Sequence, residues 1–254
     1  MCPRDASTEA GIWPPRQGQP FTEMFHEGMI SDLPAPVRRY FLHAIAPGTP
    51  LARSVRLEMT GTFRLARGVP WFLMSAQEIV TVPDGFFWQA RLGRGLFFLR
   101  GADHYAGGAA RMRCWLWGIL PVLNRKGPDI DRSCRGRLAA EAIWLPSSLL
   151  PQGGVRWEPI DDTSARAIIP ISGFPQPVTF FFEPDGRVGS IRLSRWGNRT
   201  EDGRFAELPF GCQVVAERTF GGHTIPSDIN ASWWGGTDRA FEFFRATVHR
   251  AEFA

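Results

Sequence analysis

The stretch "VRLEMTGTFRL", Val55 to Leu65, constrains this chain more than any other. Val55, Leu57, Met59, Phe63 and Leu65 fall on one side of a period of two. Arg56, Glu58, Thr60, Thr62 and Arg64 fall on the other. A helix turns 100° per residue and would scatter these two sets, whereas a pleated strand separates them into one apolar and one wet face. The same alternation returns in Phe86, Trp88, Ala90 and Leu92 against Phe87, Gln89 and Arg91. It returns again in Met112, Cys114 and Leu116 against Arg111, Arg113 and Trp115, then in Ala165–Ile171 and Ile191–Leu193. "WFLMSAQEIVTV" carries apolar residues on both faces. Tight turns separate these runs, at Pro83-Asp84-Gly85 and at Pro184-Asp185-Gly186. Such short connections join antiparallel neighbours, because parallel strands need long crossovers. About ten to twelve strands are expected.

Two segments break the pattern. "SDLPAPVRRYFLHAI" predicts a helix near 34–46, capped by Ser31 or Asp32, with Pro36 in its first turn and Val37, Phe41 and Ile45 on one stripe. "RGRLAAEAIWLP" predicts a second helix over 136–145, with Leu138, Ala142 and Leu145 as its apolar stripe and Pro146 as its stop. Arg137 and Glu141, four apart, share a face of it. The intervening 118–135 stretch, polar and punctuated by Gly and Pro, predicts a loop. Residues 1–30 read as a loose tail, and 31–254 as a single β-rich domain.

Composition bounds the function. The 20 Phe and 10 Trp supply an unusually ring-rich core, and rings pack with irregular gaps, so a cavity is a natural by-product. Net charge is +4, but the arginines are interleaved with acids and only Lys126 is a lysine, so no nucleic-acid partner is expected. Cys2, Cys114, Cys134 and Cys212 show no C-x-x-C spacing and read as free thiols in a reducing compartment. The first residues lack the basic-then-apolar order of an export signal. No apolar run is long enough for a transmembrane segment. The expected location is cytoplasmic.

"LPAPVRRYF" (33–41), "GADHYAGGAARM" (101–112), "GPDID" (127–131), "RGRLAAEAIWLP" (135–146) and "VTFFFEPDGRV" (178–188) together resemble an uncharacterised bacterial domain family over roughly residues 30–253. The shape implied by that resemblance is the LolA/LolB-like lipoprotein-carrier half-barrel. The fold class expected is therefore α+β, mostly antiparallel β: a curled half-barrel sheet with two or three helices covering its concave face.

The site residues expected to meet a ligand are Arg137, Glu141, Trp144, Tyr105, His104, Trp88 and Trp115, with Arg137 as a polar-head anchor. The leading functional reading is non-enzymatic binding of a lipid-like or other apolar molecule, with no cofactor and no metal. One alternative is a hydrolase-type enzyme using Glu141 with His104 or with Asp129/Asp131. A loop site shared by Asp129, Asp131 and Asp103 is a weaker acidic candidate, because a calcium loop needs more ligands. The other alternative is a structural or interaction module, which would show an exposed apolar patch. "FHEGMI" lacks the second His of a zinc-protease helix, no G-x-S-x-G is present, and Lys126 lacks a glycine-rich lead-in.

Overall fold

A computed structural model describes residues 23–254. Residues 1–22 of the expected tail lie outside the described residues. From residue 23 onward the chain is packed: Phe25 is 1% exposed, Met29 and Ile30 are buried, and Met24 bridges Pro50.

The six strands of the first half are β1 (Val55–Phe63), β2 (Phe72–Thr81), β3 (Gly85–Arg94), β4 (Phe97–Ala106), β5 (Ala109–Leu116) and β6 (Leu120–Lys126). The seven of the second half are β7 (Arg156–Asp161), β8 (Ser164–Ile171), β9 (Phe174–Phe182), β10 (Val188–Gly197), β11 (Ala206–Phe220), β12 (His223–Trp233) and β13 (Phe241–Phe253). They form one antiparallel sheet in the order β6-β5-β4-β3-β2-β1-β13-β12-β11-β10-β9-β8-β7. Each half is a meander. The halves join where β1 pairs with β13, Val55 opposite Phe253 and Phe63 opposite Phe244.

The thirteen strands among the described residues exceed the expected ten to twelve, and one extra strand falls where a loop was expected. All of β6 is exposed. An edge strand with no buried face leaves no period-two signal, and Pro121 is tolerated there because an edge position does not need its missing N–H.

Among the described residues two α-helices accompany the sheet: α1 (Ala35–Ala44) and α2 (Pro128–Glu141). Helix α1 starts at Ala35 with Pro34 as its cap residue and Pro36 at its second position. Neither Ser31 nor Asp32 caps it; the Ser31 hydroxyl donates instead to the Gly28 carbonyl. Tyr40 and Phe41 on α1 pack into the rings of Trp157, Phe180 and Phe182 on β7 and β9.

Helix α2 begins at Pro128, eight residues before the expected start, because Pro suits a first helical position and Asp129 and Asp131 oppose the positive end of the helix dipole. Gly127 precedes it at φ 114°, a conformation that a side chain resists. Leu138, Ala142 and Leu145 are fully buried, but the α-helix ends at Glu141 rather than at Pro146: Ala142 opens a 3-10 turn and Leu145 follows it. Each such leucine contributes roughly 1.5–3 kcal/mol.

Helix α2 is also the crossover from one sheet edge, β6, to the other, β7. Laid flat, thirteen strands at about 4.8 Å spacing would span roughly 55–60 Å. Yet one helix, about 10–12 Å across, touches β4–β6 on one flank and β8–β10 on the other. The sheet must therefore curl around α2. At one end the flanks meet directly: Tyr105 Oη on β4 lies 2.8 Å from Ser172 Oγ in the β8–β9 turn. The sheet stays unclosed, since β6 and β7 do not pair.

Candidate functional site

Between α2 and the concave face lies a cavity of about 390 Å³. Phe63, Trp88, Phe210, Trp233, Phe243 and Phe244 project into it from the sheet. Ile143 and Trp144, in the short 3-10 turn that follows α2, wall it from the other side. Trp144 is held by an indole N–H donated to the Pro226 carbonyl at 3.1 Å.

One cross-strand row builds a whole wall. Glu78, Trp88, Asp103, Met112 and Arg125 are successive register partners from β2 to β6. Register partners share a face, so all five line the cavity. Helix α2 lowers Arg137 onto this row. Its three guanidinium nitrogens donate to three different carboxyls: Nε to Glu141 at 2.5 Å, Nη1 to Asp103 at 3.1 Å and Nη2 to Glu78 at 2.8 Å. The guanidinium also lies 4.3 Å from the centre of the Phe86 ring.

Three carboxyls around one cation in a buried site cannot all ionise at low cost. Burial, then the charge on Glu141, pushes Glu78 well above the usual carboxylate range, against the pull of Arg137. The neighbouring Glu141 carboxyl thus favours a proton on Glu78, and Glu141 Oε2 is itself buried with no hydrogen-bond partner among the described residues. Burial also raises Asp103 to about 6, with Arg137 opposing. Burial works against the charge of Arg137, but Glu141, Glu78 and Asp103 overcome it and hold the guanidinium protonated.

Of the seven residues expected from sequence, four line the cavity: Arg137, Glu141, Trp144 and Trp88. Tyr105 points inward but is sealed at the Ser172 contact, stacked on Phe86. His104 and Trp115 do not line this cavity. His104 follows Asp103 on β4, so the strand period turns it to the opposite, convex face. Trp115 alternates with the inward Cys114 and Leu116 and lies under Arg113 on that same convex face.

The expected hydrolase constellation does not assemble. Asp129 accepts the Trp196 indole N–H at 2.8 Å, and Asp131 accepts the Ala110 backbone N–H at 2.7 Å. Glu141 sits twelve residues beyond Asp129 along the helix, roughly 18 Å away. Asp103 pairs with Arg137 rather than with either aspartate. Acid/base chemistry needs its groups within reach of one reacting atom.

Sequence reasoning passed over Glu78 and Arg195. Arg195 is 8% exposed, lines the cavity, and donates from Nε to the Ser133 carbonyl at 3.3 Å. Its guanidinium lies 4.9 Å from the ring centres of both Phe210 and Trp233. Gly136 lets α2 come this close, since a Cβ there would lie 3.1 Å from Arg195 Cγ.

Residues 23–246 match the model of a family of unknown function, DUF6544. The chain belongs to that family. Membership of DUF6544 agrees with the resemblance to an uncharacterised family read from the sequence. Among solved structures, this DUF6544 chain is similar to a LolA superfamily protein from Nitrosomonas europaea, with 10% identity over 87% of this chain and 92% of that one, at a TM-score of 0.45. It is also similar to a DUF1329 family protein from Desulfovibrio piger, with 9% identity over 80% and 86% of the two chains, at a TM-score of 0.40. No curated protein matches the chain.

Proposed function

We propose that this DUF6544 protein binds a lipid-like, largely apolar molecule in the cavity under α2 and does not transform it chemically. The observation that carries this reading is the cavity itself: about 390 Å³, walled mainly by aromatic rings, with a few polar groups on one side. Binding sites for small molecules have this size and lining, roughly 300–1,000 Å³ and mostly apolar. Each guanidinium nitrogen of Arg137 already donates to a carboxyl, which suits a wall more than a reacting centre.

Native mass spectrometry and solvent extraction of purified protein test the reading. A co-purifying amphiphile is expected, and the stripped protein should take up an aliphatic fluorescent probe. Ala231→Leu, which adds bulk on the cavity wall, should cut that uptake while leaving the fold intact. A folded protein that yields no amphiphile and takes up no probe, or uptake indifferent to Ala231→Leu, overturns it.

The interaction-module alternative has one observation in its favour. Leu96 is 98% and Ile119 80% exposed at the neighbouring β3–β4 and β5–β6 turns, which the Trp117 indole N–H links through the Leu96 carbonyl. Apolar side chains so presented are a feature of contact surfaces.

A further inference from the structure

The two buried arginines of the cavity are not equivalent. Arg137 has a carboxyl for each of its nitrogens. Arg195 is just as deeply placed, yet among the described residues its guanidinium forms no ion pair; its one hydrogen bond goes from Nε to a backbone carbonyl. Its remaining N–H groups open into the cavity between two rings. Asp103 and Glu141 act on it only at longer range, and burial with the nearby Arg137 lowers its pKa to about 10, so it stays charged at neutral pH. A buried, charged guanidinium without a carboxylate is costly unless something else supplies the anion.

The rest of the wall has the same bias. Arg125 and Arg199 are exposed side chains that line the same cavity, so they stand at its mouth, one from β6 and one from the segment after β10. Partial burial and the charge of Arg125 both disfavour the charge on Arg199. Four guanidiniums thus face three carboxyls.

Building on the apolar-ligand reading above, we infer that the bound molecule is an anionic amphiphile: its oxyanion head, a carboxylate or phosphate, docks on Arg195, and its tail lies along the ring-lined sheet. The planar guanidinium offers paired N–H donors that match an oxyanion. Phe210 and Trp233 hold the fork in place beneath it. Arg125 and Arg199 draw the same charge inward at the entrance.

The test uses stripped full-length protein and four probes: dodecanoate, dodecyl phosphate, dodecanol and inorganic phosphate. Wild-type protein should bind the two anionic chains at least about tenfold more tightly than the alcohol, the scale of a charge-assisted hydrogen bond in a buried site. That preference should weaken with added salt. Arg195→Gln should abolish the preference, while Arg195→Lys should keep part of it. Inorganic phosphate should not displace dodecanoate at equal concentration; if it does, the site takes a free anion and the amphiphile is wrong. If the anionic chains bind no more tightly than dodecanol and without salt dependence, the head-group assignment fails while the apolar-ligand reading stands. If no chain binds folded protein, both fail. Should Arg195→Gln not fold, the wild-type salt titration and the Arg195→Lys ratio decide the matter alone.

Discussion

At the scale of single residues, the cluster around Arg137 is a charge arrangement whose members cannot be exchanged independently. Removing the cation strands three carboxyls in a buried wall. Arg137→Met should therefore cost about 3–5 kcal/mol of unfolding free energy. Glu78→Gln should cost about 1 kcal/mol or less, for a specific reason. An amide can still accept from Arg137 through its oxygen, as the Glu78 carboxyl does, and it removes the carboxyl that burial and Glu141 together disfavour in its charged form. Urea denaturation of the two variants checks this; equal losses would mean that an amide cannot stand in for the Glu78 carboxyl. Both Glu78 and Arg195 left a trace in the sequence. Glu78 is in phase with Met74, Ala76 and Val80, and Arg195 with Ile191 and Leu193, all inward positions. A charge in register with a buried apolar face is the readable sign of an internal polar site. What the sequence could not show is which charges meet, because Glu78, Asp103 and Arg137 belong to three elements far apart in the chain.

At the scale of elements, the cavity depends on where side chains are missing as much as on where they are. Gly197, at the end of β10, has room for no Cβ: one would lie 2.4 Å from Cη2 of Trp233 and 2.6 Å from its Cζ3. Trp233 is 6% exposed and meets Phe210 edge-on at 5.5 Å, so it has nowhere to move but into the cavity. Gly197→Ala should lower stability by roughly 1–3 kcal/mol, the range for overpacking a tight core. It should also weaken probe uptake, because the displaced indole narrows the space beside Arg195. Thermal unfolding and probe titration measure both; a variant with wild-type stability and uptake would show that the sheet yields here. Strand identity and the buried positions Leu138, Ala142 and Leu145 were legible because burial imposes a period, although the α-helix itself stops at Glu141. The start of α2 was masked by its own N-terminal signals, Gly127-Pro128 and the two aspartates, which equally describe a turn.

For the molecule as a whole, the curled sheet makes acid stability a contest between two buried groups on different elements. Asp103 on β4 has its pKa raised from 3.8 to about 6 by burial. The folded state therefore holds a proton that the unfolded chain has released, and this contribution is full below pH 3.8 and lost as pH rises through 6. His223 on β12 has its pKa lowered from 6.5 to about 4 by burial. Its contribution runs the other way: full above pH 6.5 and lost as pH falls through 4. The two partly cancel, so the profile of wild-type protein alone is uninformative. Asp103→Asn separates them. Between pH 4 and pH 7, wild type should lose up to about 3 kcal/mol relative to the Asn variant, at about 1.4 kcal/mol per pKa unit. Denaturant unfolding at the two pH values reads the difference, and parallel profiles would contradict the raised pKa of Asp103.

By itself the sequence determined the local alphabet of this protein: antiparallel strands, two helices, an apolar stripe on the second helix, and a ring-rich core. Those features follow from periodicity and turn chemistry, which act between neighbours along the chain. Only the tertiary structure decided that α2 bridges the two edges of one thirteen-stranded sheet, and that the curl brings β2, β4 and β10 around a common space. Charge pairing and cavity volume are set by register across strands and by the closeness of helix to sheet. Those distances lie between residues that no local pattern connects.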